Sequence, residues 1–92
     1  MYVILVYDVS LENKGAKNLR HVFKTCKKYL HHVQNSVFEG ELTPAELFKL
    51  KTELAPDIRD DLDSVIVFTS RQEKWLDKEL WGTQKDMTDN FL

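Results

Sequence analysis

Asp8 closes the apolar run Tyr2-Val-Ile-Leu-Val-Tyr7. A carboxylate at the end of a strand sits where loops build functional sites, and its oxygens suit a hard divalent cation such as magnesium. That cation would polarise a phosphoryl oxygen and activate water. The plainer reading of such a residue is a cap. No adjoining acidic residue completes a two-metal site, because Tyr7 and Val9 flank Asp8.

The second chemical feature is charge. The net charge of -2 hides an asymmetry: no acidic residue lies between Asn13 and Phe38, where Lys14, Lys17, Arg20, Lys24, Lys27 and Lys28 supply six of the thirteen basic residues. Seven basic residues then face fifteen acidic ones in the rest of the chain. Charge segregated in this way suggests a local polyanion site, with nucleic acid, DNA or RNA, as the natural partner. The alternative is one solvated helix face. Lys17 and Arg20 are the foremost phosphate contacts, since they stand near the start of the basic segment and close to the Asp8 loop. Lys14 and Lys24 extend the same cluster.

Other side chains carry a chemical and a structural reading side by side. Ser10 and Ser36 can hydrogen-bond phosphate or metal-bound water, yet turn chemistry accounts for both. Phe38 can stack on a base, although an aromatic in a central strand is more often core. His21, His31, His32 and Cys26 match no common zinc-ligand spacing. Cys26 falls on an apolar stripe and reads as inert core. Trp75 and Trp81 are candidates to anchor a partner chain or an exchanged strand.

These residues must be placed by one small domain. A chain of 92 residues with 42% hydrophobic content fills a single core. Its 11% aromatic content argues against disorder, and its 30% charged residues argue against a membrane protein. No apolar run approaches the roughly 20 residues needed to cross a bilayer. The run from Tyr2 lacks the basic segment and the length of a signal sequence. A lone cysteine suits a reducing compartment, so a cytoplasmic protein is expected. No repeats or low-complexity segments occur.

Tyr2 to Tyr7 is apolar on both alternating faces and reads as a central strand. Ala16, Leu19, Phe23, Cys26 and Leu30 recur at helical spacing. The basic residues follow the same period and flank that stripe. His32-Val-Gln34 and Val37 to Leu42 bracket Asn35-Ser36, which predicts a β-hairpin. Thr43, Pro44 and Glu46 read as N-cap, first helical position and capping-box glutamate of a second helix running to about Leu54. Its apolar stripe is Leu47, Leu50 and Leu54. The acidic stretch Asp57 to Asp63 reads as a loop, and Ser64 to Thr69 as a strand with two apolar faces.

The order β-α-β-β-α-β is the ferredoxin-like arrangement, an α+β fold with both helices on one face of an antiparallel sheet. Its helix-free face normally meets water, but Tyr2, Ile4 and Val6 are no more polar than Val3, Leu5 and Tyr7. A second copy of the chain is the simplest cover, so a homodimer is expected. A short extra strand is expected near Glu79 to Trp81. Residues 1-82 then form the domain and 83-92 a flexible tail.

The strand ending in Tyr7-Asp8, the basic first helix and the hairpin string Val33-Gln-Asn-Ser-Val-Phe-Glu39 together resemble the small CRISPR-associated endonuclease family, the second core adaptation protein. The resemblance covers about residues 1-70. It implies a ferredoxin-like homodimer in which the two Asp8 residues approach each other across the two-fold axis. It also implies a divalent cation, usually magnesium, metal-dependent phosphodiester hydrolysis, and assembly with the CRISPR adaptation integrase that inserts spacers. Two symmetry-related carboxylates repel, and a shared cation relieves that repulsion. In many members a basic residue precedes the Val-Gln of the hairpin. His32 takes that place here as a candidate nucleic-acid contact, and histidine carries no constant charge near neutral pH. Beyond Thr69 the resemblance implies only a strand exchanged with the partner. A stand-alone toxin-like ribonuclease of similar fold is the alternative function, and a small-molecule regulatory domain would need no basic helix.

Overall fold

The computed structural model describes residues 1-79 together with Trp81 and Gly82. The chain runs β1 (Tyr2–Asp8), α1 (Gly15–Tyr29), β2 (His31–Gln34), β3 (Val37–Glu41), α2 (Pro44–Leu54) and β4 (Ser64–Ser70), with single 3-10 turns at Ala55–Asp57 and Glu73–Trp75. The four strands form one antiparallel sheet in the order β2-β3-β1-β4. This is the ferredoxin-like α+β arrangement expected from the order of elements.

Local chemistry explains most boundaries. Thr43 caps α2: its hydroxyl accepts from the Glu46 amide at 3.1 Å, and the Glu46 carboxylate accepts from the Thr43 amide at 2.9 Å. These two bonds satisfy donors that the first turn would otherwise leave unpaired. Asn35 turns the β2-β3 hairpin with a φ of 39°, a left-handed conformation that asparagine tolerates. Entry into α1 is sharper, because Asn13 and Lys14 both have positive φ, 50° and 67°. Gly15 then passes so close to the loop that a Cβ there would lie 1.7 Å from the Ser10 carbonyl oxygen. Only glycine fits that approach.

Successive strand residues face opposite sides of the sheet. Val3, Leu5 and Tyr7 of β1 point into the core with Val22 and Cys26 of α1, Leu50 and Leu54 of α2, and Phe38 of β3. The expected stripe of α1 is thus rotated slightly. Val22 is fully buried, whereas Ala16 is exposed and Leu19 and Phe23 are half-buried. Alanine has little area to bury, so the larger Val22 wins the core position.

The opposite face of β1 carries Tyr2, Ile4, Val6 and Asp8. Cross-strand pairing sets Ile4 beside Phe68 and Glu39, and Val6 beside Ile66 and Val37. Ile66 and Phe68 remain 53% and 55% exposed. The apolar helix-free face anticipated from the sequence is therefore present and open across its centre. One end of it is tied down, where the Tyr2 hydroxyl donates to Glu39 at 2.5 Å and the Lys78 ammonium donates to both Glu39 oxygens at 2.6 and 2.7 Å. Asp77, Lys78 and Glu79 form no strand within the single chain, and Trp81 is also outside regular structure. The expected strand at Glu79 to Trp81 includes Leu80, which lies outside the described residues, as does the expected tail at 83-92.

Candidate functional site

Asp8 is the last residue of β1, paired with Ser64 at the first position of β4. It is exposed, and alternation along β1 places it on the same face as Ile4 and Val6. Among the described residues its carboxylate makes no hydrogen bond or ion pair. It caps nothing, since α1 begins after Lys14 without any side-chain cap. An acceptor group thus stands at the edge of the exposed apolar sheet face.

The loop that follows is held by Arg59 and Asp63 from the acidic stretch Asp57 to Asp63. The Asp63 carboxylate accepts the Ser10 amide at 2.9 Å and the Arg59 amide at 2.8 Å. Arg59 in turn donates to Asp63 and to three loop carbonyls, those of Ser10, Glu12 and Asn13. The Arg59 guanidinium bonded to Asp63 holds that carboxyl down at about 2, helped by the Arg59 and Ser10 amides and opposed by burial. Asp63 is therefore ionised near neutral pH. The Ser10 hydroxyl is spent locally, accepting from the Glu12 amide at 3.1 Å, which is the turn role weighed for it.

The basic residues separate into two groups. Lys14, Lys17, Arg20 and Lys24 are exposed and have no partner among the described residues. Lys28, by contrast, is paired with Glu53 at 2.9 Å. Arg20, Phe23, Lys24, Lys27 and Lys28 line a shallow groove of about 490 Å³, with the Lys27 ammonium 5.7 Å from the Phe23 ring centre. Helical spacing brings these cations onto one side of α1, as the sequence pattern anticipated.

Two candidates are corrected. Phe38 is 0% exposed, 6.0 Å from the Tyr7 ring and 5.5 Å from Phe23 between centroids. Its parity on β3 turns it towards the helices, so it offers no face to a base. His32 is buried against Phe23 and Phe38, each 4.9 Å away between ring centroids. Its Nε2 lies 2.8 Å from the Asn35 carbonyl oxygen, which can only accept, so Nε2 carries a proton. It braces the hairpin turn and does not reach solvent phosphate. The other candidates for metal chemistry also diverge. His21 meets Asp57 at 3.1 Å, and burial pushes the Cys26 thiol up to about 12, which keeps it unreactive.

A cation at Asp8 has to be tested against this donor set. Among the described residues of one chain, no three histidine, cysteine or acidic side chains converge. Magnesium commonly binds through one or two carboxylates while keeping waters and taking phosphate oxygens. Asp8 fits that pattern as a single ligand, provided a second carboxylate or a substrate completes the shell.

The family described as CRISPR associated protein Cas2 matches residues 1-78. This chain belongs to the Cas2 family. It is 59% identical over its whole length to a CRISPR-associated endoribonuclease Cas2 of Fusobacterium nucleatum, covering 87% of that protein, and 42% identical to one of Methanosarcina acetivorans, with both chains fully covered. Its fold superposes on the crystal structure of Streptococcus pyogenes Cas2 with a TM-score of 0.78 at 40% identity, spanning 89% of this chain and all of that one. The family resemblance drawn from the Tyr7-Asp8 strand end and the hairpin string is thereby confirmed, together with the ferredoxin-like fold shared by Cas2 structures. Among the described residues, no helix of this Cas2 family member is long and apolar enough to cross a membrane.

Proposed function

We propose that two copies of this chain pack through their helix-free faces into a Cas2-type homodimer that binds nucleic acid, serves CRISPR adaptation and hydrolyses phosphodiester bonds with a divalent cation, most simply magnesium, held between the two Asp8 side chains. One observation carries this reading: Asp8 stands exposed, without a partner among the described residues, on the same face as the apolar patch Ile4, Val6, Ile66 and Phe68. Covering that patch with a symmetric copy removes apolar surface from water and brings the two strand ends towards the two-fold axis. The endoribonuclease names of the relatives support RNA cleavage as the activity to assay first.

When bound, a magnesium ion would polarise a phosphoryl oxygen and lower the pKa of its water. The chain's own part is to supply the carboxylates, to hold the loop after Asp8, and to attract the phosphate backbone. Lys14, Lys17, Arg20 and Lys24 would do the last of these. The same dimer offers a rigid, symmetric body for bracing the integrase, and its exposed Trp81 is available to a protein partner.

Replacing Lys17, Arg20 and Lys24 together with glutamate should weaken binding to any nucleic-acid sequence. Each phosphate contact on duplex contributes about 0.9 to the slope of log affinity against log salt. The triple variant should therefore flatten that slope by nearly three units, as read by fluorescence anisotropy over a salt series. An unchanged slope would assign these residues to solubility alone. Adaptor and nuclease roles separate at Asp8→Ala: spacer acquisition that survives while cleavage disappears identifies a structural role in adaptation, and loss of both ties acquisition to the carboxylate.

A further inference from the structure

The segment from Val9 to Lys14 has no regular structure, yet it determines both where the Asp8 backbone is held and where the basic helix begins. One ion pair organises it. The Arg59 Nη1 donates to the Glu12 carbonyl at 2.5 Å and the Asn13 carbonyl at 3.0 Å, while Nη2 donates to the Ser10 carbonyl at 2.7 Å. Nε and Nη2 also grip the two Asp63 oxygens at 2.9 and 3.0 Å. The Asp63 side chain is fully buried and that of Arg59 is 19% exposed.

Geometry gives the pair a role beyond holding a loop. Asp63 immediately precedes Ser64, the cross-strand partner of Asp8, and its carboxylate takes the amide of Ser10, two residues beyond Asp8. Asp8 is thus held from both sides, by the β1-β4 ladder before it and by the clamp after it. A desolvated ion pair is a poor source of stability compared with apolar packing, but it is specific in geometry when every donor and acceptor is used. Here one planar guanidinium spans three carbonyls and a carboxylate, which an ammonium cannot do.

We propose that Arg59 and Asp63 form the positioning pair of the Asp8 site, fixing the loop so that the Asp8 carboxylate meets a shared divalent cation in one geometry. This rests on the reading of Asp8 as a metal ligand. Neither residue touches the cation. Both act through the backbone of residues 10-13.

The test uses Arg59→Lys and Asp63→Asn in the full chain, with manganese alone as the probe. Manganese affinity is measured by calorimetry at room temperature, and amide hydrogen exchange is followed by NMR on the same samples. Groups hydrogen-bonded directly to a metal ligand usually change affinity by about 10- to 100-fold, and a pair that acts on Asp8 through the backbone belongs at the lower end of that range. Both variants should therefore bind manganese about tenfold more weakly. The Ser10 and Gly15 amides should exchange faster, while the β1-β4 amides keep their protection. Wild-type manganese affinity in either folded variant overturns the proposal. If both variants unfold at room temperature, the pair is an element of the fold and the proposal is equally overturned. A wild-type protein that takes up no manganese refutes the Asp8 reading itself, which is a different failure from binding that survives loss of the clamp.

Discussion

Asparagine in place of Asp8 should leave a folded dimer that melts at or above the wild-type temperature without metal, gains nothing from magnesium, and cleaves RNA at least about 100-fold more slowly. The magnitude follows because partners one shell out already cost about 10- to 100-fold, and Asp8 would be a direct ligand. The thermal result follows from charge. Two unit charges about 4 Å apart repel by roughly 1 kcal/mol in bulk water and roughly 4 kcal/mol at a surface-like dielectric. Against this, burying one large apolar side chain contributes about 1.5 to 3 kcal/mol, and Ile4, Val6, Ile66 and Phe68 are available on each copy. On these figures the repulsion is no larger than what a few buried side chains contribute, so the proposed dimer should tolerate it without metal, and asparagine should remove it. A cation that binds only the native dimer stabilises it by mass action, and the variant loses that gain. Melting temperature and cleavage, measured in parallel with and without magnesium, check both halves. Cleavage at the wild-type rate would assign the activity to another residue, and a variant that fails to fold would make Asp8 structural.

If the chains pair through their helix-free faces as proposed, glutamate at both Ile66 and Phe68 should leave a folded monomer. These side chains are already half exposed in the single chain, so charges there cost the protomer little. In a two-fold interface each substitution occurs twice, placing four carboxylates where apolar contacts stood. Burying unpaired charge is costly enough to prevent association. Light scattering at micromolar concentration should then give 10.8 kDa rather than twice that mass. The melting temperature should lose its dependence on concentration. A variant that keeps the doubled mass would show that the copies meet through another surface.

Much of this was legible in the sequence because it depended on short-range pattern. The Thr43-Pro44-Glu46 cap, the Asn35 turn, the two-faced strands and the helical spacing of the basic residues are each set by neighbours within a few positions. Asp8 stood out for the same reason, as a charge terminating an apolar strand. The clamp did not. Arg59 reaches carbonyls 46 to 49 residues away, and backbone acceptors leave no signature in the sequence. For Phe38 the core reading holds, and for His32 the candidate contact with nucleic acid does not, because strand parity, set by the hairpin register, decides which face a residue serves. Both fall on the helix side. Ala16 fitted the helical period as well as Val22 did, and the difference in the apolar area they can bury, together with the close passage of Gly15 against Ser10, goes with the observed rotation of the helix.

If two chains share one cation through their Asp8 carboxylates, the number of metal ions bound per chain reveals the arrangement. Calorimetric titration of the wild-type protein with manganese, at chain concentrations well above the dissociation constant, should saturate at one ion for every two chains. Saturation at one ion per chain, or no saturable binding, would contradict it.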